Sequence, residues 1–263
     1  MLRRIQKYRI SSVHTSAAYK IPLGNQFIFL KFYGHKYPRL NYEVRKFVRH
    51  IGLRQPIEYC SPIKRKVFEE EILQHWKVNG YNVPSIIDSP LPELLGFPIL
   101  TTKFIDGMTL RELIREDDID PKEKEKKLGS LFCEVSNRHQ RALLNNDNKL
   151  FHIDSNTRNI IFAQEAIYHV DFEMGRQWES ALACASREVL KLLVSIAEEV
   201  QPSFKNTMFE IFKDCYRIKE VYQFVNKGIV KRPFQRIHRL RDMKKKRKNP
   251  EKITLYDVAN YLC

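Results

Sequence analysis

The stretch FHIDSNTRNIIF, residues 151–162, places His152, Asp154 and Asn159 directly before the apolar run Ile160-Ile161-Phe162. A carboxylate five residues before an amide, on a loop that leads into a strand-like segment, allows two interpretations. The turn is merely polar, or the loop holds a catalytic base and a metal ligand side by side. The segments before and after this loop distinguish between the two.

Three strands are predicted near the N-terminus, at Tyr8–Ser11, Ala18–Leu23 and Gln26–Tyr33. The turn signal Leu23-Gly24-Asn25 joins the last two. The third strand, FIFLKFY, is aromatic and branched, with the single charge Lys31 in its middle. A lone lysine in such a strand either guards an exposed sheet edge or is a buried cation with an anionic ligand.

A helix is predicted from the periodicity of KRKVFEEEILQHWKVNG, residues 64–80, and Pro84 prevents its continuation. Glu69 lies beside the apolar face of this helix, whereas Glu70 and Glu71 point toward solvent. A carboxylate that faces inward needs a cation, and otherwise Glu69 is an ordinary helix carboxylate.

The middle of the chain combines a strand with a long helix. The segment FPILTTKFI, Phe97–Ile105, is a predicted strand that ends at Asp106-Gly107. Pro121–Leu144 is a predicted amphipathic helix, and His139 on its apolar face is interpreted as a packed core histidine.

The segments after residue 159 are a short predicted hairpin and then helices. The hairpin strands are Ile160–Phe162 and Ile167–Val170, and they lead to Asp171-Phe172-Glu173. The predicted helices are Trp178–Val200, Phe204–Val225 and Pro250–Leu262. Strands come first and helices dominate later, which predicts an α+β protein: a small antiparallel β-rich lobe (1–105) and a mainly helical lobe (106–263).

The order of these features resembles that of the protein-kinase-like phosphotransferases. The features are a strand Lys, a helix Glu, an extended segment into a turn (97–107), H-x-D-x-x-x-x-N (152–159) and V-D-F (170–172). Each feature alone occurs often by chance. Their common order on the expected secondary structure predicts a protein-kinase-like bilobal fold.

The resemblance implies an ATP site in the first lobe. Lys31 is expected to bind the α- and β-phosphates, and Glu69 to hold that lysine in place. The backbone of Lys103, Phe104 and Ile105 is expected to pair with the adenine edge.

The resemblance also implies roles for three residues of the later segments. Asp154 is expected to accept the proton of the attacking hydroxyl or to orient it. Asn159 and Asp171 are expected to bind Mg²⁺, which prefers oxygen ligands and shares them with the phosphates.

Four stretches are similar to atypical kinases, namely the RIO kinases, the small kinase of the KEOPS tRNA-modification complex and the lipopolysaccharide-core Kdo/heptose kinases. The helix segment (69–84) resembles their E-x-x-L-L and G-x-x-V-P motifs. LKFYGHKYPRL (30–40), KFIDGMTL (103–110) and LFHIDSNTRNIIF (150–162) resemble their lysine strand, post-hinge segment and catalytic loop. The resemblance covers about residues 8–200 and indicates the superfamily better than the subfamily.

Several positions depart from ordinary protein kinases. The first two strands are joined by SSVHTS (11–16), which contains no glycine. Asn156 stands where those enzymes carry a lysine, and Arg158 is a candidate to supply the charge instead. Asp171-Phe172-Glu173 replaces D-F-G, and A-P-E is missing, so a groove for an ordinary peptide is not expected.

The composition favours an intracellular protein with an anionic partner. The net charge is +15, and residues 227–248 hold eleven basic residues and one acid. This basic segment is either a solvated tail or a surface for nucleic acid or an anionic membrane. The five cysteines contain no Cys-x-x-Cys pair, which argues against a disulfide framework or a zinc site. No secretory signal or membrane-spanning run is evident, and we expect a cytoplasmic location, with the inner face of a membrane left open.

The sequence therefore predicts an ATP- and Mg²⁺-dependent phosphotransferase that acts on a hydroxyl group. The long segment between Lys31 and Glu69 and the short activation segment favour a lipopolysaccharide-core sugar as the acceptor. Three alternatives stay open: a RIO- or KEOPS-like protein kinase or ATPase linked to RNA, a pseudokinase scaffold, and a nucleic-acid-binding protein that acts through residues 227–248.

Overall fold

The computed structural model describes residues 6–13, 16–34, 61–89, 96, 98–172, 180–225, 243–244, 246–247 and 252–262, without the side chains of 11–13. The chain forms two compact units. The first comprises Met1–Asp106 and Asp171–Arg176, and the second comprises Gly107–Val170 and Gln177–Cys263.

The first unit contains a four-stranded antiparallel sheet in the order β1-β2-β3-β4. Its strands are β1 (Arg9–Val13), β2 (Ser16–Leu23), β3 (Gln26–Tyr33) and β4 (Ile99–Lys103). Lys31 lies on β3, an interior strand, and is 6% exposed. The edge-guard interpretation of this lysine is therefore wrong.

Helix α1 (Pro62–Val78) of the first unit begins two residues before the predicted segment 64–80 and ends before Gly80. The Ser61 hydroxyl accepts a hydrogen bond from the Lys64 amide, and Pro62 occupies the first turn, where its missing N–H costs nothing. Gly80 follows with a positive φ of 85°, which a glycine adopts without strain. Trp76 is fully buried, and Glu69 is buried with it.

The second unit contains a small antiparallel sheet and several helices. The sheet has the order β5-β6-β7, with strands Met108–Thr109, Ile160–Ala163 and Ala166–His169. The helices are α2 (Leu110–Arg115), α3 (Pro121–Leu144), α4 (Ala181–Ala197), α5 (Lys205–Cys215), α6 (Lys219–Val225) and α7 (Leu255–Leu262).

Side-chain caps set where the helices of the second unit begin. Thr109 and Glu112 form a reciprocal capping box that starts α2. Asp120 and Ser180 cap α3 and α4, because each side chain accepts a hydrogen bond from an amide of the first turn.

The single helix predicted over Phe204–Val225 is wrong. The chain leaves the helix at Tyr216 (φ −100°, ψ 101°) and resumes at Lys219. The Tyr216 side chain is completely buried and its hydroxyl lies 2.8 Å from His139 Nδ1. Burial of this tyrosine therefore outweighs continuation of the helix. The short β5 and α2 were not predicted from the sequence.

The predicted α+β class is confirmed, with an antiparallel sheet in the N-terminal unit and a mainly helical C-terminal one. His139 is a buried core histidine, as predicted. Among the helices that the structure describes, none has the length and apolar character needed to cross a membrane. Most of the basic segment 227–248, as well as Glu173 and Trp178, lies outside the described residues.

Candidate active site

The first unit brings together Lys31, Glu69 and Asp171, three of the residues predicted to act on the nucleotide and metal. Lys31 Nζ donates to Glu69 Oε2 over 2.8 Å and forms a second ion pair with Asp171. The two carboxylates lie 38 and 140 residues from the lysine in the sequence. Lys31 and Glu69 are almost fully buried, whereas the Asp171 side chain is 37% exposed. We call these three residues the lysine cluster.

Glu69 is the centre of further hydrogen bonds. The Tyr33 hydroxyl donates to Glu69 Oε2 over 2.7 Å, and the Phe172 amide donates to Oε1 over 3.3 Å. The Phe172 ring also packs on Trp76 of α1, with ring centroids 4.7 Å apart. The residue that follows Asp171 is therefore anchored to the same helix that carries Glu69.

The charges of the lysine cluster affect one another. Burial raises the pKa of the Glu69 carboxyl, the Lys31 charge opposes this shift, and the Asp171 charge adds to it. Asp171 also has a φ of 68°, a left-handed conformation that is uncommon outside glycine. Such backbone strain is concentrated at functional sites. Asp171 is the partly exposed member of the cluster and therefore the carboxylate that a ligand from solution can reach.

Residues 103–105, whose backbone was predicted to pair with an adenine edge, use two of their three amides in hydrogen bonds within the protein. The Lys103 amide donates to the Ser85 carbonyl over 2.8 Å, and the Phe104 amide donates to the Phe27 carbonyl over 3.2 Å. The Ile105 amide donates to no other described residue. The pairing of this backbone with an adenine edge stays a prediction.

The second unit brings together Asp154 and Asn159 of the predicted catalytic loop. Asn159 Nδ2 donates to the Asp154 carbonyl over 3.0 Å, and Asn156 Nδ2 donates to the same carbonyl over 2.8 Å. Since the Asn159 nitrogen is used inside the loop, its amide oxygen is the atom suited to a ligand. The loop thus keeps a carboxylate and an amide oxygen close together.

Lys191 of α4 is a neighbour of Asp154 that the sequence analysis missed. Its ammonium forms an ion pair with Asp154 Oδ1 and lies 3.5 Å from the Ile153 carbonyl. Arg158, the predicted source of this charge, is exposed, and its amide binds Asn156 Oδ1. Lys191 is thus the cation paired with Asp154, and the expectation that Arg158 supplies a charge stays a prediction.

A buried ionic network lies beneath the catalytic loop. Arg138 of α3 donates to both Glu188 oxygens, over 3.2 and 2.6 Å, and to the Leu150 carbonyl over 2.6 Å. Glu188 of α4 accepts in addition from the His152 amide over 2.7 Å and lies 2.9 Å from His139 Nε2. We call these residues the arginine cluster. It fixes the backbone where the loop begins.

The carboxylates of the arginine cluster and its neighbour Glu134 are held ionised. Burial alone would raise the pKa of Glu188, but Arg138 and His139 hold it well below its usual range. Burial likewise opposes the effect of His169 and Arg138 on Glu134, whose pKa is lowered to about 2. Burial and the charge of His169 lower the pKa of His152 to about 4.

The predicted metal ligands have the donor chemistry that Mg²⁺ needs. Asp171 and Asn159 offer a carboxylate and an amide oxygen, both hard ligands. Within the described residues no three His, Cys, Asp or Glu side chains cluster as a metal cage.

Three residues of interest carry weak signals in the sequence. Tyr33 is two positions after Lys31, so strand alternation places both on one face of the sheet. Lys191 and Glu188 are three residues apart on one helix, and their spacing gives no hint of their partners, because those lie more than thirty residues away.

Comparison with known proteins gave little further information. No protein-family model and no curated protein sequence matches the chain. One solved structure with a similar backbone is described as WaaP in complex with acyl carrier protein. It has a TM-score of 0.48 and 9% sequence identity, and the match covers 86% of each chain. A similarity of this degree gives no information about activity or ligands.

Proposed function

We propose that this chain is an ATP- and Mg²⁺-dependent phosphotransferase that transfers the γ-phosphate to a hydroxyl group. The observation that supports this proposal most is the lysine cluster. Three residues that the motif order assigned to phosphate and metal binding are in contact, although up to 140 residues separate them. A chance resemblance of short motifs gives no reason for these contacts.

In this reaction the acceptor oxygen attacks the γ-phosphorus, and the bond from that phosphorus to the β–γ bridging oxygen breaks. The bridging oxygen keeps the electron pair and leaves as part of ADP. The hydroxyl proton passes to Asp154, which then releases it to water. Lys31 neutralises charge on the α- and β-phosphates, and Glu69 keeps the ammonium in place.

Asn159 and Asp171 are the residues that would hold Mg²⁺, through their side-chain oxygens. The ion, when bound, neutralises the charge of the phosphates. The Asp171 side chain is partly exposed, so it can bind a cation while Glu69 retains Lys31.

The acceptor that we propose is an anionic saccharide, such as a lipopolysaccharide-core sugar. The net charge of +15 favours an acceptor that already carries phosphate or carboxylate groups. The sequence resemblance to Kdo/heptose kinases supports the same class. An RNA-linked protein substrate is the competing acceptor, and an acceptor panel separates the two.

The test is a measurement of ATP turnover with Mg²⁺ for the wild type and for Asp154→Asn. Each protein is assayed alone and with core saccharide, with RNA and with a generic protein. Asparagine removes the charge and keeps the shape of the side chain. We expect saccharide to stimulate the wild type and the variant to lose at least about 10²-fold in turnover, the usual contribution of a positioned base.

The possible results have different consequences. If RNA or protein stimulates turnover and Asp154→Asn shows the same loss, the phosphotransferase activity is supported and the saccharide is not the acceptor. Nucleotide binding without turnover in any mixture indicates a pseudokinase and overturns the proposal that the chain is an enzyme. Turnover that is equal in the wild type and Asp154→Asn overturns the role of the catalytic loop.

A further inference from the structure

We propose that Lys191 is the cation that contacts the γ-phosphate of ATP while it positions Asp154. This inference rests on the proposed function, because it names a further residue of the same reaction. Ordinary protein kinases carry a lysine on the catalytic loop two residues after the base, where this chain has Asn156. Here a different element, helix α4, supplies the ammonium.

The contacts of Lys191 support this assignment. Its ammonium pairs with one oxygen of Asp154, Oδ1, whereas Asn159 Nδ2 lies 3.5 Å from the other, Oδ2. The Lys191 side chain is 40% exposed and that of Asp154 is 26% exposed, so a ligand can approach both.

The chemistry of transfer explains why a cation belongs there. The acceptor hydroxyl must contact Asp154 and, at the same time, lie about 3–3.5 Å from the γ-phosphorus. An ammonium on the Asp154 carboxylate is then within reach of the phosphate oxygens through the flexible lysine stem. Negative charge on those oxygens shifts during transfer, and a fixed cation stabilises the transition state.

Helix α4 is a firm base for such a residue. The next turn toward its N-terminus carries Glu188, which is fully buried and bound to Arg138 and to the His152 amide. The arginine cluster therefore fixes both the start of the catalytic loop and the helix that bears Lys191. The distance between base and cation is set by this shared anchor.

The first experiment compares nucleotide affinities of Lys191→Met with those of Arg158→Met. Both substitutions replace a cation near the catalytic loop by an uncharged chain of similar length. The dissociation constants of AMP-PNP and ADP, each with Mg²⁺, are measured by calorimetry. We expect Lys191→Met to raise the dissociation constant of AMP-PNP by about tenfold, the effect of one charge-assisted hydrogen bond. The dissociation constant of ADP should rise by less than about twofold.

The second experiment measures turnover with the acceptor that stimulates the wild type. Lys191→Met should lower kcat by about 10²-fold and raise KM for ATP by up to about tenfold, because the contact exists in the ground state and strengthens in the transition state. Lys191→Arg should restore at least part of the loss, and Arg158→Met should resemble the wild type. Thermal denaturation of each variant accompanies the assays.

The results separate this inference from the proposed function. Equal weakening of AMP-PNP and ADP in Lys191→Met, or no weakening of either, overturns the role of Lys191. If Lys191 served only the fold, Lys191→Met would lower the melting temperature and would leave the ratio of the AMP-PNP and ADP affinities unchanged. If the wild type binds nucleotide without turnover, the proposed enzymatic activity is overturned. The ratio of the AMP-PNP and ADP affinities then still tests whether Lys191 contacts the γ-phosphate. A wild type that binds no nucleotide overturns both.

Discussion

The lysine cluster of the first unit and the arginine cluster of the second are both built from buried charges, but their charge and hydrogen bonding differ. In the arginine cluster Glu188 accepts hydrogen bonds from Arg138 and the His152 amide and lies beside His139, and its pKa is held far below the usual range. In the lysine cluster one ammonium serves two carboxylates, and burial raises the pKa of Glu69.

This difference indicates what each cluster does. A buried charge that is fully paired holds a structure together, and removing one partner is costly because the other is left uncompensated. A cluster with a partly exposed carboxylate beside a buried lysine is suited to bind a ligand from solution. The arginine cluster is therefore interpreted as structural, and the lysine cluster as functional.

The largest expected effect is the loss of turnover in Asp171→Asn. Asparagine tolerates the left-handed backbone at this position, so no new strain is added. Lys31 loses one of its two carboxylate partners described above, and a charged metal ligand is lost. We expect turnover to fall by about 10³-fold or more, with the melting temperature changed by less than about 3 °C. Turnover within tenfold of the wild type would contradict the functional interpretation of the lysine cluster.

Arg138→Met should have the opposite pattern, with its main effect on the free energy of unfolding. It leaves Glu188 buried without its strongest partner, which costs about 3–5 kcal/mol of unfolding free energy. Urea denaturation measures the loss. The matched control, Arg158→Met, removes an exposed arginine and should change stability by about 0.5 kcal/mol at most. Similar stabilities for the two variants would mean that the arginine cluster does not hold the fold.

Acid should weaken the network around the arginine cluster over a defined pH range. The folded pKa of Glu134, about 2, lies below the ordinary glutamate value of 4.5, so the unfolded state binds the proton first as the pH falls. The stability that Glu134 contributes is complete above pH 4.5 and is lost as the pH falls toward 2. Its size is on the order of 2–3 kcal/mol.

Denaturation of the wild type and Glu134→Gln at several pH values checks this expectation. The difference in unfolding free energy should be widest above pH 4.5 and should shrink toward pH 2, because glutamine does not titrate. Other acid-sensitive groups, such as His152, affect both proteins and cancel in the difference. A gap that stays constant over this range would show that Glu134 has an ordinary pKa.

The smallest effect is expected for Tyr33→Phe in the lysine cluster. The substitution removes one hydrogen bond to Glu69 and keeps those from Lys31 and the Phe172 amide. We expect a loss of about 1 kcal/mol in stability and a rise of a few-fold in KM for ATP, because Glu69 holds Lys31 less firmly. Chemical denaturation and steady-state kinetics measure the two quantities. A loss comparable to that of Arg138→Met would place Tyr33 in the structural class.

Local signals made much of the fold predictable. Ser61 and Pro62 mark the start of α1, Asp120 and Pro121 mark that of α3, and Gly80 follows the end of α1. Such caps act within a few residues, so a sequence displays them directly. The break at Tyr216 was not predictable, because it depends on a hydrogen bond to His139, 77 residues earlier in the chain.

The sequence by itself determined the α+β class, the order of the motif residues, and the placement of Lys31 in a strand and Glu69 on a helix. These follow from periodicity and spacing, which are local properties. The tertiary structure decided that Lys31 lies on an interior strand, that it contacts both Glu69 and Asp171, and that Lys191 accompanies Asp154. Such pairings depend on how distant segments pack, and the free energy of a buried charge is set by the partners that packing supplies.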